Sequence, residues 1–358
     1  MIGTSDFVDG LITGSITLDN YGLKTFTKTL SNDGIGEGTE KFYVNLRTGS
    51  SSGPIVATSS LITVTEGSSD PGLYNFTSFT FTNGGATGKT GPTSFASDTS
   101  YTSQSWYSSY FSVSSGIQYW TAPATGNYTI RAAGAAGHGG NFGTYCRGII
   151  IESTISLTKG QQYKILVGQK GVVYSTSSGG GGGGTFMTTS TNSPIIVAGG
   201  GGGACYNTST FYSGSDGQSG TSGANSSDGY GTGGTSGNGG TGAVLGSGSR
   251  WGGGGGGLNT NGTNGASNSS GLGYAFVNGG AGGDSGGTGA VSVGGFGGGG
   301  GTHGNAGGGG GGGGYSGGGG SGEVTTTATA GGGGSYSQSS ISVIGYNTGH
   351  GYLTITKL

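Results

Sequence analysis

Pro194-Ile195-Ile196-Val197-Ala198-Gly199-Gly200-Gly201-Gly202-Gly203 carries an apolar strand directly into five consecutive glycines. The same juxtaposition recurs along the chain. Further glycine runs lie at 179–184, 252–257, 297–301, 307–314, 317–320 and 331–334, and Ile341-Ser342-Val343-Ile344 follows the last of them. Single aromatics stand at their flanks: Phe186, Trp251, Phe296 and Tyr315. In all, 96 of the 358 residues are Gly, against an ordinary usage of about 7%. Glycine loses more backbone freedom on folding than any other residue, so runs of this kind are either flexible linkers or material of a specific structure. Several discrete runs bracketed by strands favour the second. Without Cβ, a glycine run adopts an extended threefold helix rising about 3.1 Å per residue, with no internal hydrogen bonds. Every N–H and C=O then needs a partner on another segment. Runs laid side by side supply those partners, and any larger residue at an interior position becomes a steric fault.

Outward from the runs, the chain reads as β throughout. Phe76, Phe79 and Phe81, then Gln118-Tyr119-Trp120, Asn127-Tyr128-Thr129-Ile130-Arg131-Ala132-Ala133, Ile149-Ile150-Ile151, Ile155-Ser156-Leu157 and Tyr163-Lys164-Ile165-Leu166-Val167 supply strands. No window carries a helical period. Tyr352-Leu353-Thr354-Ile355 alternates again at the C-terminal end and is expected to close a sheet begun near Phe76. Residues 1–67 contain Asp6, Asp9, Asp19, Asp33, Glu37, Glu40 and Glu66, half of the 14 acidic residues. There Phe42, Val44 and Leu46 alternate with polar neighbours and predict a half-buried strand. Gly67–Gly72 holds a Ser-Ser-Asp-Pro turn cluster. The expected organisation is an antiparallel β module at 1–67, a linker at 68–72 and a glycine-rich all-β domain at 73–358.

Composition excludes several roles. Twelve Lys and Arg against 14 Asp and Glu leave a net charge of −2, which argues against phosphate neutralisation and nucleic-acid binding. Collagen would need a Gly-X-Y period and abundant Pro, whereas there are five Pro. No stretch has the roughly 18 apolar residues of a membrane span, and the N-terminal residues show no signal-peptide pattern. Cys146 and Cys205 read more readily as small buried residues than as a bridge. Gly85-Ala86-Thr87-Gly88-Lys89-Thr90 lacks the first glycine of a phosphate-binding loop, Asn83 standing there, and Gly91-Pro92 follows in place of a helix. His138, His303 and His350 stand in separate glycine-rich contexts without metal-ligand spacing. No enzyme and no cofactor is expected. Calcium is the one ion considered, through Asp33, Glu37, Glu40 and Glu66, against a solvated edge as the simpler reading. The aromatics between the runs (Tyr206, Phe211, Tyr212, Tyr230, Trp251, Tyr274, Phe276 and Tyr315) lie among Ser, Gly and Asn, the composition of a recognition surface. They also suit a second role, capping the ends of a glycine lattice.

From Gly84 to Tyr352 the sequence resembles the glycine-rich domain of the anaplastic lymphoma kinase/leukocyte tyrosine kinase receptors and its bacterial and viral relatives. The resemblance rests on Gly85-Ala86-Thr87-Gly88-Lys89-Thr90-Gly91-Pro92-Thr93, Gln118-Tyr119-Trp120, and Tyr128-Thr129-Ile130 running into Gly134-Ala135-Ala136-Gly137. It continues with Leu157-Thr158-Lys159-Gly160, Ile165-Leu166-Val167-Gly168-Gln169-Lys170-Gly171 and Ile195-Ile196-Val197-Ala198-Gly199. It implies a β-sandwich carrying a hexagonally packed bundle of polyglycine helices. The receptors' cysteines are missing, Gly84 standing where one would precede the Gly-Ala-Thr-Gly motif. Residues Gly34–Val44, Leu46–Ser50 and Ile55–Ser59 resemble part of a Calx-β-like module of the kind found in structural proteins of marine tailed phages. Together these predict a virion or otherwise extracellular fibre or adhesin that attaches to a host-surface glycan or protein and contacts other virion proteins. A homo-oligomer, a trimer first, is expected, with no membrane insertion. A self-assembling microbial filament and a ligand-binding receptor ectodomain module are the alternatives.

Overall fold

The computed structural model describes residues 14–16, 27, 39–65, 72–139, 146–173, 178–205, 212–244, 250–266, 270–286, 292–303, 307–322 and 327–358. The chain divides into two compact units, 1–73 and 74–358. In the first, β1 (Thr39–Phe42) pairs antiparallel with β4 (Ile62–Thr65), and β2 (Asn45–Arg47) pairs with β3 (Ile55–Thr58). The half-buried strand expected through Phe42, Val44 and Leu46 is interrupted at 43–44. There the Val44 N–H donates to Ser59 Oγ (3.0 Å) and Val44 O accepts from the Ser59 N–H (2.9 Å). Val44 and Leu46 are exposed.

The second unit is a β-sandwich joined to a glycine lattice. Its strands in chain order are β5 (Ser78–Phe81), β6 (Phe111–Ser114), β7 (Ile117–Thr121), β8 (Gly126–Ala133), β9 (Gly148–Leu157), β10 (Gln162–Leu166), β11 (Thr185–Thr189), β12 (Pro194–Ala198), β13 (Tyr336–Ser337), β14 (Ser342–Asn347) and β15 (Tyr352–Lys357). Two four-residue helices, α1 (Thr99–Thr102) and α2 (Tyr107–Tyr110), are the only α-helix among the described residues. One sheet runs β13-β12-β11-β10-β7-β6, the other β14-β9-β8-β15-β5. The C-terminal strand β15 does close the sheet begun at β5, with Leu353 opposite Phe81 and Ile355 opposite Phe79. Alternation decides what lies between the sheets. Phe79, Phe81, Tyr128, Ile130, Leu353 and Ile355 of one sheet meet Trp120, Tyr163, Ile165, Met187 and Ile196 of the other, with Trp106 and Tyr101 filling the end near α1 and α2. Tyr119, one residue out of phase, faces outward and is half-buried.

The glycine runs are ordered and buried, and their hydrogen bonds repeat every third residue. In the run 179–184, the N–H groups of Gly179 and Gly182 donate to Ala204 and Gly201. Those of Gly180 and Gly183 donate to Val172 and Gln169, and those of Gly181 and Gly184 to Gly300 and Gly297. Each third residue thus returns to the same neighbour, three residues further back, which is an antiparallel threefold helix. The missing Cβ atoms point at three more segments: His138 and Ala136, Val293 and Phe296, Gly311 and Gly314. One run therefore has six neighbours, the hexagonal packing of polyglycine helices. None of its residues has φ in the left-handed region. What glycine supplies here is absence of Cβ, since at each position a Cβ would come within 3.0 Å of a neighbouring backbone. Positive φ is needed at the reversal Gly297 (φ 102°) and Gly298 (φ 84°), which turns one strut back as the next.

A second core locks the lattice to the sandwich. Leu166, Phe186 and Val197, on the outer face of the six-stranded sheet, pack with Leu258, Phe276 and Phe296. Phe186 and Phe276 stack at 5.1 Å between ring centroids.

Candidate functional site

The structure separates the aromatics singled out from the sequence. Tyr206 and Phe211 lie outside the described residues. Trp251 is buried at the head of the run 252–257, and Phe276 is buried in the second core. Tyr315 is half-buried, stacked on Tyr336 at 4.8 Å and packed against that core. These three close the lattice, and their rings offer little face to a partner. Tyr212 lies over Gly214 and Tyr230 over Gly322, both half-buried in turns. Tyr274 is the exception, with 41% of its surface exposed. Of the acidic residues considered for calcium, Asp33, Glu37 and Glu66 lie outside the described residues, and Glu40 is placed in β1 opposite Val64.

Tyr274 belongs to a cluster of turns at one end of the lattice. The turns 235–238, 258–261 and 275–279 come from adjacent struts and are tied side to side. The Asn259 N–H donates to Gly237 O (2.8 Å), Thr260 Oγ1 accepts from the Gly239 N–H (3.0 Å), and Asn261 Oδ1 accepts from the Ala275 N–H (2.9 Å). The strut that follows repeats Thr-Asn-Gly twice (260–265). Its glycines Gly262 and Gly265 are buried, and its Thr and Asn side chains take the N–H groups of Gly239, Gly242, Ala275 and Leu272. This three-residue period was readable in the sequence, but attention to uninterrupted glycine runs passes over it.

A shallow depression lies between the sandwich and the lattice, lined by Ala136, Gly137, His138, Gly139, Cys146, Arg147, Lys170 and Thr348. His138 and Lys170 both line it, and the Lys170 backbone N–H donates to Nδ1 of His350, which is distant in sequence (3.1 Å). Burial, and after it the Lys170 ammonium, holds both imidazoles below the ordinary histidine range. Arg147 is committed elsewhere: its guanidinium and backbone N–H converge on the buried Asp216 carboxylate (2.6 and 2.7 Å), and it lies 4.3 Å over the Tyr346 ring.

Cys146 and Cys205 are buried thiols that form no disulfide. Burial pushes Cys146 up to about 12 and Cys205 up to about 11. A thiol held neutral in the fold contributes stability below its unfolded value, about 8.5, and that contribution falls as pH rises towards the folded value. Stability is therefore expected to drop between pH 9 and 11 by up to about 1.4 kcal/mol per pH unit per thiol. Urea midpoints across that range should fall less steeply in a C146A/C205A double variant. Iodoacetamide at pH 8 should label neither thiol until the chain is unfolded.

No family model matches the chain. Leukocyte tyrosine kinase receptor of Mus musculus is 38% identical over 91 residues, which cover 24% of this chain and 10% of the receptor. The chain thus spans about a tenth of the length of that curated relative. The likeness is to a part of the receptor's ectodomain and to that part alone.

Proposed function

We propose that the protein is a non-enzymatic structural and attachment protein, a fibre or adhesin of a tailed-phage particle that projects from it and contributes to host-surface attachment. One observation carries this reading. A lattice in which each interior run is hydrogen-bonded to several neighbours holds a set of uncharged, Asn-, Thr- and Tyr-bearing turns fixed at its end. Backbone pairing of this density resists local opening and proteolysis, as an outer part of a particle requires. Rigidly presented Tyr and Asn suit recognition, because little conformational entropy is lost on contact. Assembly with other virion proteins and a homo-oligomer, a trimer first, belong to the same proposal. Immunogold electron microscopy of native particles with an antibody against residues 73–358 tests it: labelled projections support it, and a free polymer of this chain alone contradicts it. The partial likeness to a receptor ectodomain favours a second reading, a ligand-binding module on a cell surface. That reading predicts label on cell membranes and none on particles.

A further inference from the structure

We infer that the cluster of turns at the lattice end is a binding site for a neutral oligosaccharide, formed by Asn238, Asn259 and Asn278 with the ring of Tyr274. The inference rests on the attachment reading and names the chemistry of its ligand. Its first support is charge. From Gly229 to Ser249 and from Trp251 to Gly283 there is no Asp, Glu, Lys or Arg, so the three turns themselves carry no counter-ion for an acidic sugar, phosphate or peptide charge. The nearby exposed Lys89 side chain is paired with Asp284.

The second support is the functional groups and how they are held. A side-chain amide offers donor and acceptor in one plane, which matches a pair of adjacent sugar hydroxyls. Asn261 Oδ1 accepts from both the Ala275 N–H (2.9 Å) and Asn278 Nδ2 (2.8 Å). That contact fixes the Asn278 amide, which is otherwise exposed. Thr260 Oγ1, already accepting from the Gly239 N–H, donates to Asn238 Oδ1 (3.4 Å) and so orients a second exposed amide. Asn259, exposed on the intervening turn, donates from Nδ2 to Ser236 O (3.5 Å). Three amides from three struts are thereby displayed at fixed positions, with their supporting bonds made within the protein.

The third support is Tyr274. It is the most exposed of the described aromatics on the lattice, directly before Ala275, whose N–H is in the Asn261 contact. An exposed aromatic ring together with amides on adjoining turns offers an uncharged, amphipathic ligand both an apolar face and hydrogen-bonding partners. The apolar face of a hexose ring suits it.

The test uses the full chain against maltohexaose, cellohexaose and mannohexaose, with oligogalacturonate as the anionic counterpart. At least one neutral oligosaccharide should bind at millimolar concentration or below. Asn278→Ala and Tyr274→Ala should each weaken that binding ten-fold or more, while Tyr346→Ala, on the sheet edge, leaves it unchanged. Urea midpoints of the variants separate loss of the site from loss of fold. The inference is overturned if no neutral oligosaccharide binds, if oligogalacturonate binds in preference, or if two folded variants bind as the wild type does. Adsorption of the protein to cells from its native source, before and after periodate oxidation of their glycans, separates the two levels. Adsorption that survives periodate leaves attachment standing and overturns the glycan site. Oligosaccharide binding without any cell adsorption overturns attachment and supports the site.

Discussion

Gly182→Val is expected to remove about 3 kcal/mol or more of stability, because its side chain has nowhere to go. Gly182 sits midway along the run 179–184. A Cβ there would lie 2.5 Å from the Ala136 carbonyl carbon and close to Ala135 O as well, both backbone atoms that no rotamer change can move. The residue's N–H donates to Gly201 O (2.8 Å) and its carbonyl accepts from the Gly313 N–H (2.9 Å). Relief of the clash therefore separates struts and breaks bonds worth about 1 kcal/mol each net. For a domain whose whole stability is on the order of 5–15 kcal/mol, that is a large fraction. Gly220→Ala is the control. It has nothing within 4 Å of its Cβ position, and its effect should stay within about 0.5 kcal/mol. Urea titration of both variants in the full chain measures the difference.

Trp106→Ala should lose about 3–5 kcal/mol, the range for a large aromatic deleted from a core. Trp106 is 1% exposed. Its ring lies edge-on to Phe79 at 4.8 Å between centroids and near Phe81 (6.1 Å), Phe111 (5.7 Å) and Tyr101 (6.5 Å). Those neighbours come from β5, β6 and α1, so collapse onto the void would require rigid elements of both sheets to shift. Calorimetry should show a clear fall in the melting temperature, and Trp106→Phe, which keeps a ring in place, should recover part of it. A small loss for Trp106→Ala would mean the sandwich end is loosely packed.

These two substitutions also mark what could be read without coordinates. The alternation in Tyr128, Ile130 and Ala132, and in Leu353 and Ile355, announces strands whose inward faces are apolar, and the sandwich follows from it. The order of the glycine runs follows from their being bracketed by strands, though which run meets which does not. Run 179–184 bonds to 169–172, 201–204 and 297–300, and nothing in a string of identical residues encodes that choice. Connections, reversals such as Gly297-Gly298 and the second core set it. The aromatics between the runs were the least legible part. Trp251, Tyr315 and Tyr274 share the same Ser/Gly/Asn surroundings, yet the first is buried, the second stacked and the third exposed. Side-chain fate at the lattice ends depends on which strut turns back where, and the amides proposed to act with Tyr274 come from three separate turns.

Native-state hydrogen exchange across Gly307–Gly314 tests the central claim most directly. Every N–H from Gly308 to Gly314 has an acceptor on another segment, from Arg250 O for Gly308 to Gly256 O for Gly314, with Ser321 Oγ serving Gly309. Those amides are expected to exchange as slowly as the amides of β8 and β9, and to lose protection only with the cooperative unfolding of the whole unit. Exchange at the rate of a free glycine peptide would contradict the lattice.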